Sequence, residues 1–83
     1  MFYDSYKEQN IMREIKVLPP YIKLEQFLKL CSAVDSGGIA KQVILDGLVK
    51  VDGEVCLMRG KKLRGGEKVE FDGEKYLCIV EGI

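Results

Sequence analysis

The stretch SGGIAKQVILDGLVKVDGEV, residues 36 to 55, leaves the chain around it few choices of fold. Ser36 is a strong N-cap, because its hydroxyl can accept from an otherwise unpaired backbone N–H in the first helical turn. Ala40, Val43, Ile44 and Gly47 then follow the i, i+3, i+4, i+7 spacing of one helix face. Gly47 can take the left-handed conformation that ends helices, so the spacing predicts a stop at Asp46. Leu48, Val49 and Val51 favour a strand, and Asp52-Gly53 is a two-residue hairpin signal. A short helix running directly into a hairpin must bury one face against something, and the remaining chain has to supply it.

The best candidate is the segment IKLEQFLKLCSAV, residues 22 to 34, where Leu24, Phe27, Leu28 and Cys31 form one stripe and Val34 extends it. Lys23, Gln26 and Lys29 can face water. Two helices this close in sequence are expected to pack as a pair, joined by a loop at Asp35. Before them, Arg13 to Leu18 alternates charged and apolar residues and reads as a short edge strand, ended by Pro19-Pro20 because neither proline donates to a ladder. That edge is expected to pair with the C-terminal strand. After the Asp52-Gly53 turn, Val55 to Leu57 can return as a strand, Arg59 to Gly66 reads as a basic loop, and Lys68–Phe71 and Lys75–Val80 form two strands around a second Asp-Gly turn. The expected class is α+β, with two short packed helices against a small, mostly antiparallel sheet. Residues 1–12 lack periodicity and read as a flexible extension, leaving 13–83 as a single domain.

With 83 residues and 47% hydrophobic content the chain can fill one modest core. Its formal net charge is zero, yet the charges are segregated. Arg59, Lys61, Lys62, Arg64 and Lys68 meet only Glu67 in their stretch, while Glu70, Asp72, Glu74 and Glu81 follow against Lys75. Such asymmetry points to an anionic partner, although a lysine-rich loop is more often simply solvated. Cys31, Cys56 and Cys78 are widely spaced among apolar neighbours and read as small core residues in a reducing compartment. No run is long enough to span a membrane and no signal-peptide pattern is visible, so a cytoplasmic protein is expected.

The chemistry within reach is narrow. With no histidine in the chain, a Ser–His or Cys–His nucleophile pair cannot form. No cofactor is expected, and the scattered cysteines and acids offer no metal-ligand spacing. Glu67 and Glu70 could be paired as acid and base, but so small a domain leaves little room for a substrate pocket. Binding remains. Gly37 and Gly38 open the second helix, where free N–H groups and the helix dipole favour an anion and the missing side chains permit close approach. A flexible turn or close helix packing explains the same pair equally well. Lys41 lies one turn further on, and Lys50 and the loop Arg59, Lys61, Lys62, Arg64 could frame that surface. Tyr21, Phe27, Phe71 and Tyr76 read as core or core-edge residues, so no stacking platform for single strands is expected.

KLEQFLKL, then SGGIAKQVILDGLVKVDGEV, then RGKKLRGGEKVEF together resemble the S-four RNA-binding domain, the domain of ribosomal small-subunit protein four, over about residues 22 to 71. The most specific part is the helix–Gly–strand–Asp-Gly core from Ala40 to Gly53, and Gly65-Gly66-Glu67-Lys68-Val69 is similar to the family's closing element. The Gly-Gly version resembles small stand-alone bacterial proteins that consist of this domain, the alpha-L motif, and little else. The resemblance implies a non-catalytic protein that binds structured RNA, ribosomal or transfer, with the ribosome as a candidate setting; a monomer is expected, although the edge at Arg13 to Val17 could also pair with another copy. It places Lys23 at a basic and Glu25 at an acidic position of the first helix, and Lys41 at a basic position of the second, beside Ser36. Many members carry two basic residues after the serine. Here Gly37 and Gly38 stand in their place, and the Arg59–Arg64 loop is expected to compensate. The competing reading is a protein-interaction adaptor that kept the fold and lost RNA affinity. A positive face would favour RNA and a contiguous apolar patch would favour a protein partner.

Overall fold

The computed structural model describes residues 12–81, so the expected extension over 1–12 lies outside the described residues except for Met12. In chain order the elements are β1 (Arg13–Val17), β2 (Ile22–Lys23), α1 (Leu24–Leu30), α2 (Gly37–Leu45), β3 (Val49–Val51), β4 (Glu54–Val55), β5 (Lys62–Leu63), β6 (Lys68–Phe71) and β7 (Glu74–Val80). Five strands form one sheet in the order β1-β7-β6-β3-β4, and β2 and β5 form a separate two-stranded ribbon. Among the described residues, every pairing is antiparallel except β1 on β7, where Arg13 to Val17 run parallel to Tyr76 to Val80. The N-terminal edge strand therefore pairs with the C-terminal strand, as expected.

Strand alternation sorts the sheet into two faces. Val49, Val51, Val69, Tyr76 and Cys78 are buried on the inner face, together with Leu24, Phe27, Leu28, Ala40 and Ile44 from the helices and Leu63 from β5. Phe27 meets the Tyr76 ring edge-on, with centroids 6.5 Å apart and planes at 85°, a favoured aromatic arrangement. Burial also pushes the Cys78 thiol up to about 11, with the nearby Glu67 carboxylate adding to the effect. Cys78 thus acts as the small core residue expected of it, while Cys31 and Cys56 are only half-buried. On the outer face Lys50 stands opposite Glu70, and Glu70 opposite Lys75, a row of alternating charge across three strands.

The helix over 36–46 forms as expected: the Ser36 hydroxyl accepts from Ile39 N–H at 3.2 Å. It ends where Gly47 takes φ 78°, with Gly47 N–H donating to Ile44 C=O and Leu48 N–H to Val43 C=O. That pair of bonds is a Schellman motif. The first helix is shorter than its apolar stripe suggests, spanning Leu24–Leu30 rather than 22–34. At its start, Ile22 and Lys23 give their backbone to the ribbon with β5. At its end, Ser32 turns left-handed with φ 61°, and Ser32 and Ala33 N–H donate to Lys29 and Leu28 C=O. This is the same motif, but with serine at the position that favours glycine, which hid it from a reading based on glycine and proline. Val34 still reaches the core, carried there by the loop rather than by the helix.

Two further differences lie beyond the first hairpin. The returning strand is Glu54–Val55, not Val55–Leu57, and Cys56 adds one more bond, from its N–H to Val49 C=O at 3.0 Å. Leu57 and Met58 then leave the sheet exposed. The segment after them is not wholly a loop, because the buried Leu63 anchors β5 within it. Asp52-Gly53 and Asp72-Gly73 both make the expected turns, with positive φ at all four residues.

Candidate nucleic-acid interface

The ribbon β2–β5 carries the densest group of cations. Its register sets Ile22 opposite Leu63 and Lys23 opposite Lys62. Leu63 is fully buried and Ile22 packs partly against the core, so these two define the inward face of the ribbon. By the two-residue period of strands, Tyr21, Lys23, Lys62 and Arg64 share the outward face. Distances agree: Lys62 Nζ lies 4.9 Å from the centroid of the Tyr21 ring and Arg64 Cζ lies 5.5 Å from it, both within cation–π range. Tyr21, expected as a core or core-edge residue, is half-buried and stands apart from the core cluster as the aromatic member of a cationic face. The signal was present in the alternation of Tyr21-x-Lys23 and Lys62-x-Arg64.

Backbone bonds clip the adjoining segment onto the start of α1. Leu24 N–H donates to Lys61 C=O at 2.8 Å, and Glu25 N–H donates to Arg59 C=O at 3.1 Å. These carbonyls satisfy two of the unpaired donors of the first helical turn, so that helix end is already occupied. The Lys23 N–H is satisfied separately by Gln26 Oε1 at 3.3 Å. Arg59 also reaches the Glu25 carboxylate at 3.5 Å. Among the described residues, no carboxylate lies within ion-pair distance of Lys23, Lys61, Lys62 or Arg64.

Glu67 holds the other end of this segment. Its carboxylate accepts from the backbone N–H of Arg64 and of Gly65, each at 2.8 Å. The residue weighed as an acid or base is therefore engaged in fixing the turn between β5 and β6.

The remaining candidates sit elsewhere. Gly37, Gly38 and Lys41 are exposed on the first two turns of α2, while Ala40 and Ile44 take that helix into the core. A Cβ on Gly37 would meet nothing within 4 Å, and one on Gly38 would meet only the Ser36 hydroxyl at 3.8 Å. Neither glycine has a positive φ, so neither backbone strain nor close helix packing requires glycine there. No hydrogen bond or ion pair among the described residues joins Ser36–Lys41 to the Arg59–Arg64 segment. Lys50 lies on the outer sheet face beside Glu70, away from the helices, and is not brought together with the loop.

Between the basic segment and the first hairpin is a surface concavity of about 320 Å³, lined by Val51, Val55, Cys56, Leu57, Met58 and Lys61 together with Asp52 and Glu54. Among the described residues, no three metal-binding side chains gather at one point, and no helix is long and apolar enough to cross a membrane.

Comparison with known proteins bears on this arrangement. The sequence profile of a family described as the S4 domain matches residues 15–79. A Bacillus subtilis (strain 168) protein named for ribosome maturation, RlbA, is 44% identical over 52 residues, which cover 63% of this chain and 73% of that protein. A protein of Escherichia coli (strain K12) named for RNA binding, YbcJ, is 41% identical over 60 residues, covering 72% of this chain and 86% of that one. The solution structure of YbcJ from E. coli, described as revealing an alpha-L motif involved in RNA binding, superposes with a TM-score of 0.65 at 32% identity, over 84% of this chain and 90% of that chain.

Proposed function

The chain belongs to the S4 domain family, and from that premise we propose that it is an RNA-binding protein whose contact face is the ribbon β2–β5 with the adjoining Arg59–Lys61 segment. The observation that carries this reading is the outward face of the ribbon, where Lys23 and Lys62 stand directly opposite each other with Arg64 beside them. Like charges placed opposite across strands destabilise a small sheet, and a polyanion relieves the repulsion. Phosphates supply such charge at regular spacing, and contacts to them give affinity without reading sequence. A second contact, at Ser36, Gly37, Gly38 and Lys41, offers exposed backbone donors and one cation at the start of α2. Recognition of this kind suits structured RNA, read by its shape and backbone more than by base edges. Ribosomal RNA is the favoured target, because one relative is named for ribosome maturation. The ribosome and the cytoplasm are the setting that follows.

The protein acts by binding rather than by catalysis in this reading, since the chain has no histidine and Glu67 is committed to two backbone bonds. The adaptor reading is not favoured. Exposed Leu48, Val55, Leu57 and Met58 do give it an apolar surface, but the relatives are named for RNA binding and ribosome maturation.

Crosslinking in cells, followed by sequencing of RNA recovered with the tagged full chain, tests the function. Enrichment of a ribosomal or transfer RNA segment is expected, with loss of that enrichment in the K61A/K62A/R64A variant. In vitro the same variant should lower the slope of log affinity against log salt by roughly 0.7–0.9 for each phosphate contact removed. Recovery of RNA at background level by the well-expressed wild type would overturn the reading.

A further inference from the structure

We propose that Tyr21 is the positioning residue of the RNA-contacting face: its ring holds Lys62 and Arg64 together as one preformed seat for adjacent phosphates of the RNA backbone. The inference rests on the RNA-binding reading above and goes beyond it in naming an uncharged residue as the organiser.

Three observations meet at this ring. The first is distance, since both cations approach the same aromatic ring, at 4.9 Å and 5.5 Å from its centroid. The second is register. Lys62 begins β5 and Arg64 directly follows it, two residues on and so on the same side, and the Ile22–Leu63 register extended by one residue sets Tyr21, just before β2, across from Arg64. The third is charge. Lys62 and Arg64 have no carboxylate partner among the described residues, and Lys62 faces Lys23 across the ribbon. Flexible cationic side chains under such repulsion would spread into solvent and lose rotamer freedom on binding. The negative face of an aromatic ring attracts both without neutralising either. A carboxylate at this position would hold the cations as well, but it would compete with the phosphate. The ring therefore orders the pair and leaves its charge for the ligand, which lowers the ordering cost of association.

The test compares three full-length variants, Tyr21→Phe, Tyr21→Leu and K61A/K62A/R64A, by titration with a fluorescently labelled RNA hairpin across a range of salt. Each variant is checked for folding by its amide NMR spectrum. The same samples report ring-current shifts of the Lys62 Hε and Arg64 Hδ protons without RNA. Phenylalanine keeps the aromatic face and should bind within about two-fold of wild type, with the upfield shifts retained. Leucine keeps bulk but no ring, and should weaken binding by about three- to five-fold, the size of one exposed cation–π contact. Wild-type affinity in Tyr21→Leu, alongside weakened binding by the triple variant, would overturn the positioning role and leave the basic face standing. Equal losses in the phenylalanine and leucine variants would assign the effect to the hydroxyl and overturn it too. Unchanged binding by the triple variant, or none by the wild type, would remove the RNA face itself and the role of Tyr21 with it.

Discussion

At the scale of single residues, Gly38 separates what the fold needs from what the proposed function needs. Most glycines in small domains answer to backbone geometry, and Gly47 does so here at φ 78° in the turn that ends α2. Gly38 is different, because it lies inside a helix, in ordinary helical conformation, and a Cβ there would make only an ordinary contact with Ser36. Glycine in a helix is less favourable than alanine by up to about 1 kcal/mol. Gly38→Ala should therefore stabilise the protein by a few tenths to about 1 kcal/mol in urea denaturation. If the bare backbone admits a phosphate, the added methyl should at the same time weaken RNA binding by about 1 kcal/mol, the worth of one hydrogen bond. Stabilisation with unchanged affinity would exclude Gly38 from the interface.

Among the elements, what was legible in the sequence followed from how local its causes are. The second helix, its serine cap, its glycine stop and both Asp-Gly turns were readable because each depends on residues within four or five positions. The length of α1 was not, since its start is set by Leu63 and Lys62 some forty residues away in sequence, and its end by a serine in a glycine-like conformation. The alternation around Tyr21 was visible, but its meeting with Lys62 and Arg64 was not, because it arises only once β5 lies beside β2. Most cations of the candidate site were readable from their clustering, whereas the separation of Lys50 onto the outer sheet face was not. Glu67 shows how strongly the β5–β6 connection depends on one side chain, as its carboxylate accepts two backbone bonds at 2.8 Å. Hydrogen bonds to a charged acceptor are roughly twice as strong as neutral ones. Glu67→Gln, which can accept at only one oxygen, should cost about 1–2 kcal/mol. Faster amide hydrogen exchange at Arg64 and Gly65 should accompany the loss, and unchanged exchange there would show that the turn is held by something else.

For the whole molecule, a formal net charge of zero conceals two unlike surfaces, the ribbon with its cations and the sheet exterior with its alternating Lys75–Glu70–Lys50 row. The core beneath them contains acidic groups that the fold holds neutral, and this gives stability a pH dependence of definite sign. Burial raises the Cys78 thiol from its ordinary 9.0 to about 11, and burial likewise raises Cys31 and Tyr76. A group with a raised folded pKa retains its proton longer in the native state than in the unfolded chain. At pH 8 both states hold these protons and the fold has its full stability. Above pH 9 the unfolded chain releases the Cys78 proton while the native state retains it until about 11, so stability falls across that window. Urea denaturation at pH 8, 9.5 and 11 should therefore show a declining midpoint. The contribution of this thiol is isolated by Cys78→Ala. That variant should start about 1 kcal/mol below wild type at pH 8, from lost packing. It should then lose less between pH 9 and 11, bringing the two curves together. Curves that stay parallel would mean that the alkaline loss does not originate in the Cys78 thiol.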